Sequence, residues 1–145
     1  MNRIKVSAEA ESKMKEHALA TFPNECCGFF YGKNSGEGKQ VTEVLLIENA
    51  KEGDQRRRFS ISPLDYMKGE RYAMEHELDF LGVYHSHPLH PAIPSEHDRV
   101  QAMPSFSYII LSTDPEEVVD VTSWQLNDDR QFDQEEYLIL QTRTI

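Results

Sequence analysis

The residues best equipped for chemistry crowd into one stretch, Tyr84-His85-Ser86-His87-Pro88-Leu89-His90-Pro91-Ala92-Ile93-Pro94-Ser95-Glu96-His97-Asp98. Residues i and i+2 at a strand end project to the same face, so His85 and His87 can aim their imidazole nitrogens at one point. Three prolines in the segment from His87 to Pro94 exclude regular structure and make the return a stiff loop. If Ser95 caps a helix, Asp98 falls in its first turn, where its carboxylate can face that same point. Two neutral histidines and one carboxylate leave the fourth position of a tetrahedral zinc open to water, which marks catalytic rather than structural sites. Water held there has a pKa of about 7 and is a nucleophile at neutral pH.

Plainer readings stand beside this one. Ser95-Glu96-His97-Asp98 also fits a capping box that only closes a helix end. His85 and His87 taken singly are ordinary half-buried histidines. His90 and His97 read as exposed or supporting groups, and His17 as structural. His76-Glu77 starts a zincin-like pattern, but Phe80 stands where its second histidine belongs. Cys26 and Cys27 are sequence neighbours whose bridge would close no useful loop, so they read as packing residues. A cysteine nucleophile would need a paired histidine that the sequence does not reveal.

The elements that must position these groups alternate between helical and extended patterns. Ser7 caps a first helix in which Ala10, Met14 and Ala18 recur until Pro23. Gly28 opens an apolar strand, Phe29-Phe30-Tyr31, closed by the glycine-rich stretch Gly32 to Gly38, with Val41 to Ile47 as its hairpin partner. Lys51 to Gln55 is a turn, and Arg58 to Ile61 resumes an extended pattern. Ser62-Pro63 starts a second helix to about Glu77, with Leu64, Met67, Met74 and Leu78 marking its apolar face. Phe80 to Tyr84 is a strand leading into the histidines, a short helix follows Ser95, and strands are expected at Phe106 to Leu111, Val118 to Leu126 and Tyr137 to Gln141. Several connections are too short for parallel crossovers, so the expected fold class is α/β in the α+β sense, a mixed sheet covered by helices.

Composition narrows the partners. The 145 residues, 39% of them hydrophobic, suit one domain spanning 1–145. No apolar run approaches the roughly 20 residues of a membrane span, and no signal-peptide core follows Met1 to Val6, so the expectation is a soluble, cytoplasmic protein without membrane contact. A net charge of −10 argues against nucleic acid. The run Arg56-Arg57-Arg58 is the local exception, read as a solvated strand edge or loop that could still receive an acidic partner.

Through nearly its whole length the chain resembles the JAMM metalloproteases, also called catalytic MPN domains. The resemblance rests on Glu25 in Pro23-Asn24-Glu25-Cys26-Cys27-Gly28, on His85-x-His87-Pro88, and on Ser95 and Asp98 at the family's spacing, with Phe59 to Ser62 and Trp124 in support. It implies a single-domain JAMM/MPN fold, similar to that of the cytidine deaminases, although the deaminase Pro-Cys-x-x-Cys pattern is missing. It further implies one zinc ion held by His85, His87 and Asp98, Glu25 as the general acid and base, and Ser95 as the hydrogen-bond donor to the developing oxyanion or the nucleophilic water.

The cysteine-cysteine-glycine turn and the proline-rich loop look most like small prokaryotic members associated with ubiquitin-like sulfur-carrier proteins. The implied activity is that of a zinc isopeptidase or amidohydrolase, cleaving the amide after a carrier's C-terminal Gly-Gly from cysteine, a small amine or lysine. A Gly-Gly tail suits a narrow cleft and can bind as an added strand at a sheet edge. The alternatives are a zinc peptidase acting on short peptides and a non-catalytic MPN scaffold; the oligomeric state stays open, a homodimer included.

Overall fold

The computed structural model describes residues 2–36 and 38–140. Its elements run β1 (Arg3–Val6), α1 (Ala8–Thr21), β2 (Cys27–Ser35), β3 (Gly38–Ile47), α2 (Pro63–Glu75), β4 (Asp79–Pro88), α3 (Glu96–Gln101), β5 (Ser107–Thr113), β6 (Val118–Leu126) and β7 (Phe132–Ile139). The strands close into a ring in the order β1-β3-β2-β4-β5-β6-β7, with β7 returning to β1. Three pairings, β1 with β3, β1 with β7 and β4 with β5, are parallel and the others antiparallel. The sheet is mixed, as expected. The ring is not paired along its whole length: β1 covers β3 only at Lys39–Val41, so from Thr42 to Ile47 the only strand pairing with β3 among the described residues is β2.

Closure depends on β1, an element absent from the sequence reading. Ile4 and Val6 are buried and alternate with more exposed Arg3 and Lys5, the period-2 signature of a strand, but four residues beside two charges are a weak signal. Arg58 to Ile61, expected to be extended, forms no strand; the Ser60 carbonyl only accepts the Ala50 N–H at 2.8 Å. Strand β4, in contrast, runs beyond Tyr84 through both histidines to Pro88, into the segment expected to be irregular, because β5 pairs with it as far as Pro88↔Thr113. The last strand begins earlier than expected, at Phe132, and Gln141 lies outside the described residues.

Helices cover both faces of the sheet. Ala10, Met14 and Ala18 of α1 pack with Phe30, Tyr84, Ile109 and Leu111, whereas Ala73 of α2 packs with Phe29, Tyr31 and Val83. Helix α1 keeps its Ser7 cap and α2 its Ser62 cap with Pro63 in the first turn. The apolar face expected for α2 is mostly wrong: Leu64, Met67 and Met74 are exposed, and only Leu78 packs against the core. Gly69 and Ala73 face inward instead, flanked by partly buried Tyr66 and Tyr72. Small residues let the helix approach the aromatic rings, and a Cβ on Gly69 would lie only 2.6 Å from the Phe29 ring. Among the described residues no helix is long and apolar enough to cross a membrane.

Candidate metal centre

The register of β2 against β4 assembles the site. Cys27 pairs with His85, the Ser86 N–H donates to the Cys26 carbonyl at 3.2 Å, and the Cys26 N–H donates to Ser86 Oγ at 2.8 Å. These bonds bring Glu25, just ahead of β2, to the end of β4 that carries both histidines. Gly28 makes room for the register: a Cβ there would sit 2.3 Å from the Tyr84 ring. His85 and His87 share one face, and their Nε2 atoms are 3.2 Å apart.

Helix α3 supplies the third group. Ser95 is its N-cap, Asp98 N–H donates to Ser95 Oγ at 3.0 Å, and Ser95 N–H donates to Asp98 Oδ2 at 2.8 Å, completing a capping box. The same Oδ2 stands 3.3 Å from His85 Nε2 and 3.2 Å from His87 Nε2. The capping box is present, and the same carboxylate oxygen, which has two lone pairs, also faces the histidines. The proline loop is fastened to the sheet: Leu89 N–H donates to the Thr113 carbonyl at 2.7 Å, and Thr122 Oγ1 donates to the Ala92 carbonyl at 2.6 Å.

The three atoms make a triangle with edges of 3.2, 3.2 and 3.3 Å. A tetrahedral zinc with bonds of about 2.0–2.1 Å needs ligand atoms about 3.3–3.4 Å apart, so the donor set fits such an ion without rearrangement. His87 Nδ1 lies 2.8 Å from the Pro91 carbonyl. A carbonyl only accepts, so Nδ1 carries the proton and, in the neutral ring, Nε2 keeps its lone pair directed at the triangle. His85 is stacked on Phe59 at 4.5 Å, and its Nδ1 is buried without a partner among the described residues.

Electrostatics separates the groups. Burial would raise Asp98, but the imidazoles, His85 foremost, and the Ser95 N–H hold it far below the usual carboxylate range. Burial lowers the His85 pKa despite Asp98. In His87 burial opposes protonation, yet the hydrogen bonds to Asp98 and Pro91 outweigh it and raise the pKa. Glu25 is 4% exposed, and its Oε1 is buried without a partner. Burial raises its carboxyl to about 8, against the lowering effect of His87. A Glu25 oxygen and one nitrogen of each histidine lie within 4.8 Å of one another, so Glu25 stands beside the histidine pair.

Residues 7–127 match the family profile Prok-JAB, prokaryotic homologs of the JAB domain. The chain belongs to this family. A Thermus thermophilus protein named "Probable TtuB-protein conjugate cleaving protease" is 29% identical over 100 residues, covering 69% of this chain and 64% of that relative, just under two thirds of its length. A "Desampylase" of Haloferax volcanii is 27% identical over 118 residues, covering 78% and 83%. The solution structure of a Desulfitobacterium hafniense protein superimposes with a TM-score of 0.84 at 30% identity, over 96% of this chain and 94% of that one. A Salinibacter ruber protein, also solved in solution, gives 0.73 at 32% identity, over 94% and 91%.

The Prok-JAB fold thus brings together all five expected site residues. His17 is structural, its Nδ1 lying 2.7 Å from Tyr84 Oη, and both cysteines are buried and unbridged. His90 and His97 line the cleft over the site, together with Arg57 and Arg58. Two residues that place Glu25 went unnoticed in the sequence: Ser86 holds Cys26, and Asn49 Nδ2 donates to the Glu25 carbonyl at 3.1 Å. Lone Ser and Asn residues carry no periodic signal.

Proposed function

We propose that this chain is one hydrolase domain that cleaves the amide after the C-terminal Gly-Gly of a ubiquitin-like or sulfur-carrier protein, using a zinc ion held by His85, His87 and Asp98. The observation that carries the reading is the 3.2–3.3 Å triangle with the buried, unpartnered Glu25 carboxyl beside it. The names of the Thermus and Haloferax relatives, both cleaving enzymes, one of them of protein conjugates, support the substrate class.

Zinc bound there supplies Lewis-acid polarisation of the scissile carbonyl and acidifies water. Glu25, a buried carboxyl beside the histidines, takes a proton from the attacking water and delivers it to the departing amine nitrogen. Ser95 Oγ already accepts the Asp98 N–H, which leaves its O–H to donate to the carbonyl oxygen as charge develops there. The cleft of about 610 Å³ is walled partly by Pro91 and Ile93 and can take a tail without side chains.

Glu25→Gln tests the assignment. It should keep about one zinc per chain by elemental analysis while losing about 10²–10⁴-fold in turnover, as expected for a general acid and base. His87→Ala and Asp98→Ala should lose both metal and turnover. A fully active Glu25→Gln protein refutes the role of Glu25.

A further inference from the structure

The run Arg56-Arg57-Arg58 is unusual in a chain of net charge −10, and the loop that carries it is firmly anchored. Asn49 is its hub. Asn49 Nδ2 donates to the carbonyls of Glu25 at 3.1 Å and Arg58 at 3.2 Å, while its Oδ1 accepts from Lys51 and Ser60 N–H, each at 3.0 Å. The Glu25 N–H in turn donates to the Gln55 carbonyl at 2.7 Å. Loop 48–61 and Glu25 therefore form one hydrogen-bonded unit.

From that unit Arg57 and Arg58 line the same cleft as Glu25, His87 and Ser95. Among the described residues neither guanidinium has an ion-pair or hydrogen-bond partner, although acidic residues outnumber basic ones 25 to 15. The other acid on the cleft wall, Glu96, is already engaged by Arg99, with Nε at 2.9 Å from Oε2. Two unpaired guanidiniums on the wall that carries the proton donor leave a place for an anion belonging to the substrate.

We propose that Arg57 and Arg58 form a subsite for a carboxylate on the leaving amine, so that the preferred leaving group is an α-amino acid. This rests on the hydrolase reading and sharpens its substrate. Glu25 hands its proton to the departing nitrogen, so the amine side of the substrate faces the Glu25 wall. An α-carboxylate lies only two bonds from that nitrogen and falls within the same cleft, where forked guanidiniums bind carboxylates bidentately. A lysine side-chain amine would place methylenes there instead and leave both cations unmatched.

The peptide Ala-Gly-Gly-Ala and its C-terminal amide share the bond after Gly-Gly and differ only in the carboxylate. Binding is read by calorimetry on zinc-loaded Glu25→Gln protein, and hydrolysis by mass spectrometry on the zinc-loaded wild type. The free acid should be favoured about tenfold in both measurements, as expected for charge-assisted hydrogen bonds, and R57Q/R58Q should bring the ratio to within about twofold. Equal handling of acid and amide by the wild type overturns the subsite, as does a preference that survives R57Q/R58Q. A defect falling equally on acid and amide also overturns it and places the arginines against the carrier. Preferential binding of the acid with neither peptide hydrolysed supports the subsite but counts against the hydrolase reading.

Discussion

Asn49→Ala should both loosen the fold and slow the reaction. The substitution removes four side-chain hydrogen bonds, two donated to the Glu25 and Arg58 carbonyls and two accepted from Lys51 and Ser60. Each is worth about 0.5–1.5 kcal/mol net, and water can replace part of the loss at this half-exposed residue, so the expected destabilisation is about 2–3 kcal/mol. Urea unfolding of wild type and variant at one pH reads that difference. None of the lost bonds touches His85, His87 or Asp98, so zinc content should stay at the wild-type level. Turnover should fall about tenfold or more, because Glu25 loses one of its backbone anchors and small displacements of a catalytic group are costly. Asn49→Asp keeps the two accepted bonds but sets a carboxylate oxygen against the Glu25 and Arg58 carbonyls, so it should slow turnover at least as much as Asn49→Ala. A variant within about 0.5 kcal/mol of wild type, with unchanged turnover, refutes the hub.

Gly28→Ala should destabilise by about 3 kcal/mol or fail to fold, since its Cβ would collide with the Tyr84 ring at 2.3 Å; a wild-type melting temperature would show that the ring can move aside. Ser86→Ala strands the buried Cys26 N–H and should lose about 1–3 kcal/mol in denaturant unfolding. Burial lowers the His17 pKa, so the unfolded chain binds the proton first. Stability owed to this group is present above pH 6.5 and declines as pH falls below it until the folded imidazole also protonates. His17→Gln should reduce the drop in unfolding free energy between pH 7.5 and pH 5.5, and an unchanged drop would remove His17 as a contributor.

How much of this was legible in the sequence follows the range of each interaction. His85 and His87 could be read as neighbours because strand periodicity is local, and Asp98 because the Ser95 cap fixes its place in the first turn of α3. Glu25 could be named only through family resemblance, since its approach depends on the pairing of Cys27 with His85, a long-range register that no local pattern encodes. The ring closure was missed because β1 contributes just Ile4 and Val6 to the core. Helix α2 misled because its inward face uses Gly69, Ala73 and tyrosines, while its most hydrophobic residues, Leu64, Met67 and Met74, face outward. Arg57 and Arg58 do lie on an exposed loop, as charge alone suggested, but the Asn49 network turns that loop into a wall of the cleft.

The central claim is tested most directly by the mass spectrum of a ubiquitin-like or sulfur-carrier protein, joined through its C-terminal Gly-Gly to an amino acid, after incubation with the zinc-loaded protein. The carrier should lose the mass of the amino acid and gain that of one water, ending at its free Gly-Gly carboxylate, and Glu25→Gln protein should leave the conjugate unchanged. An intact conjugate after incubation with protein shown to hold zinc, or equal cleavage by Glu25→Gln, would contradict the account.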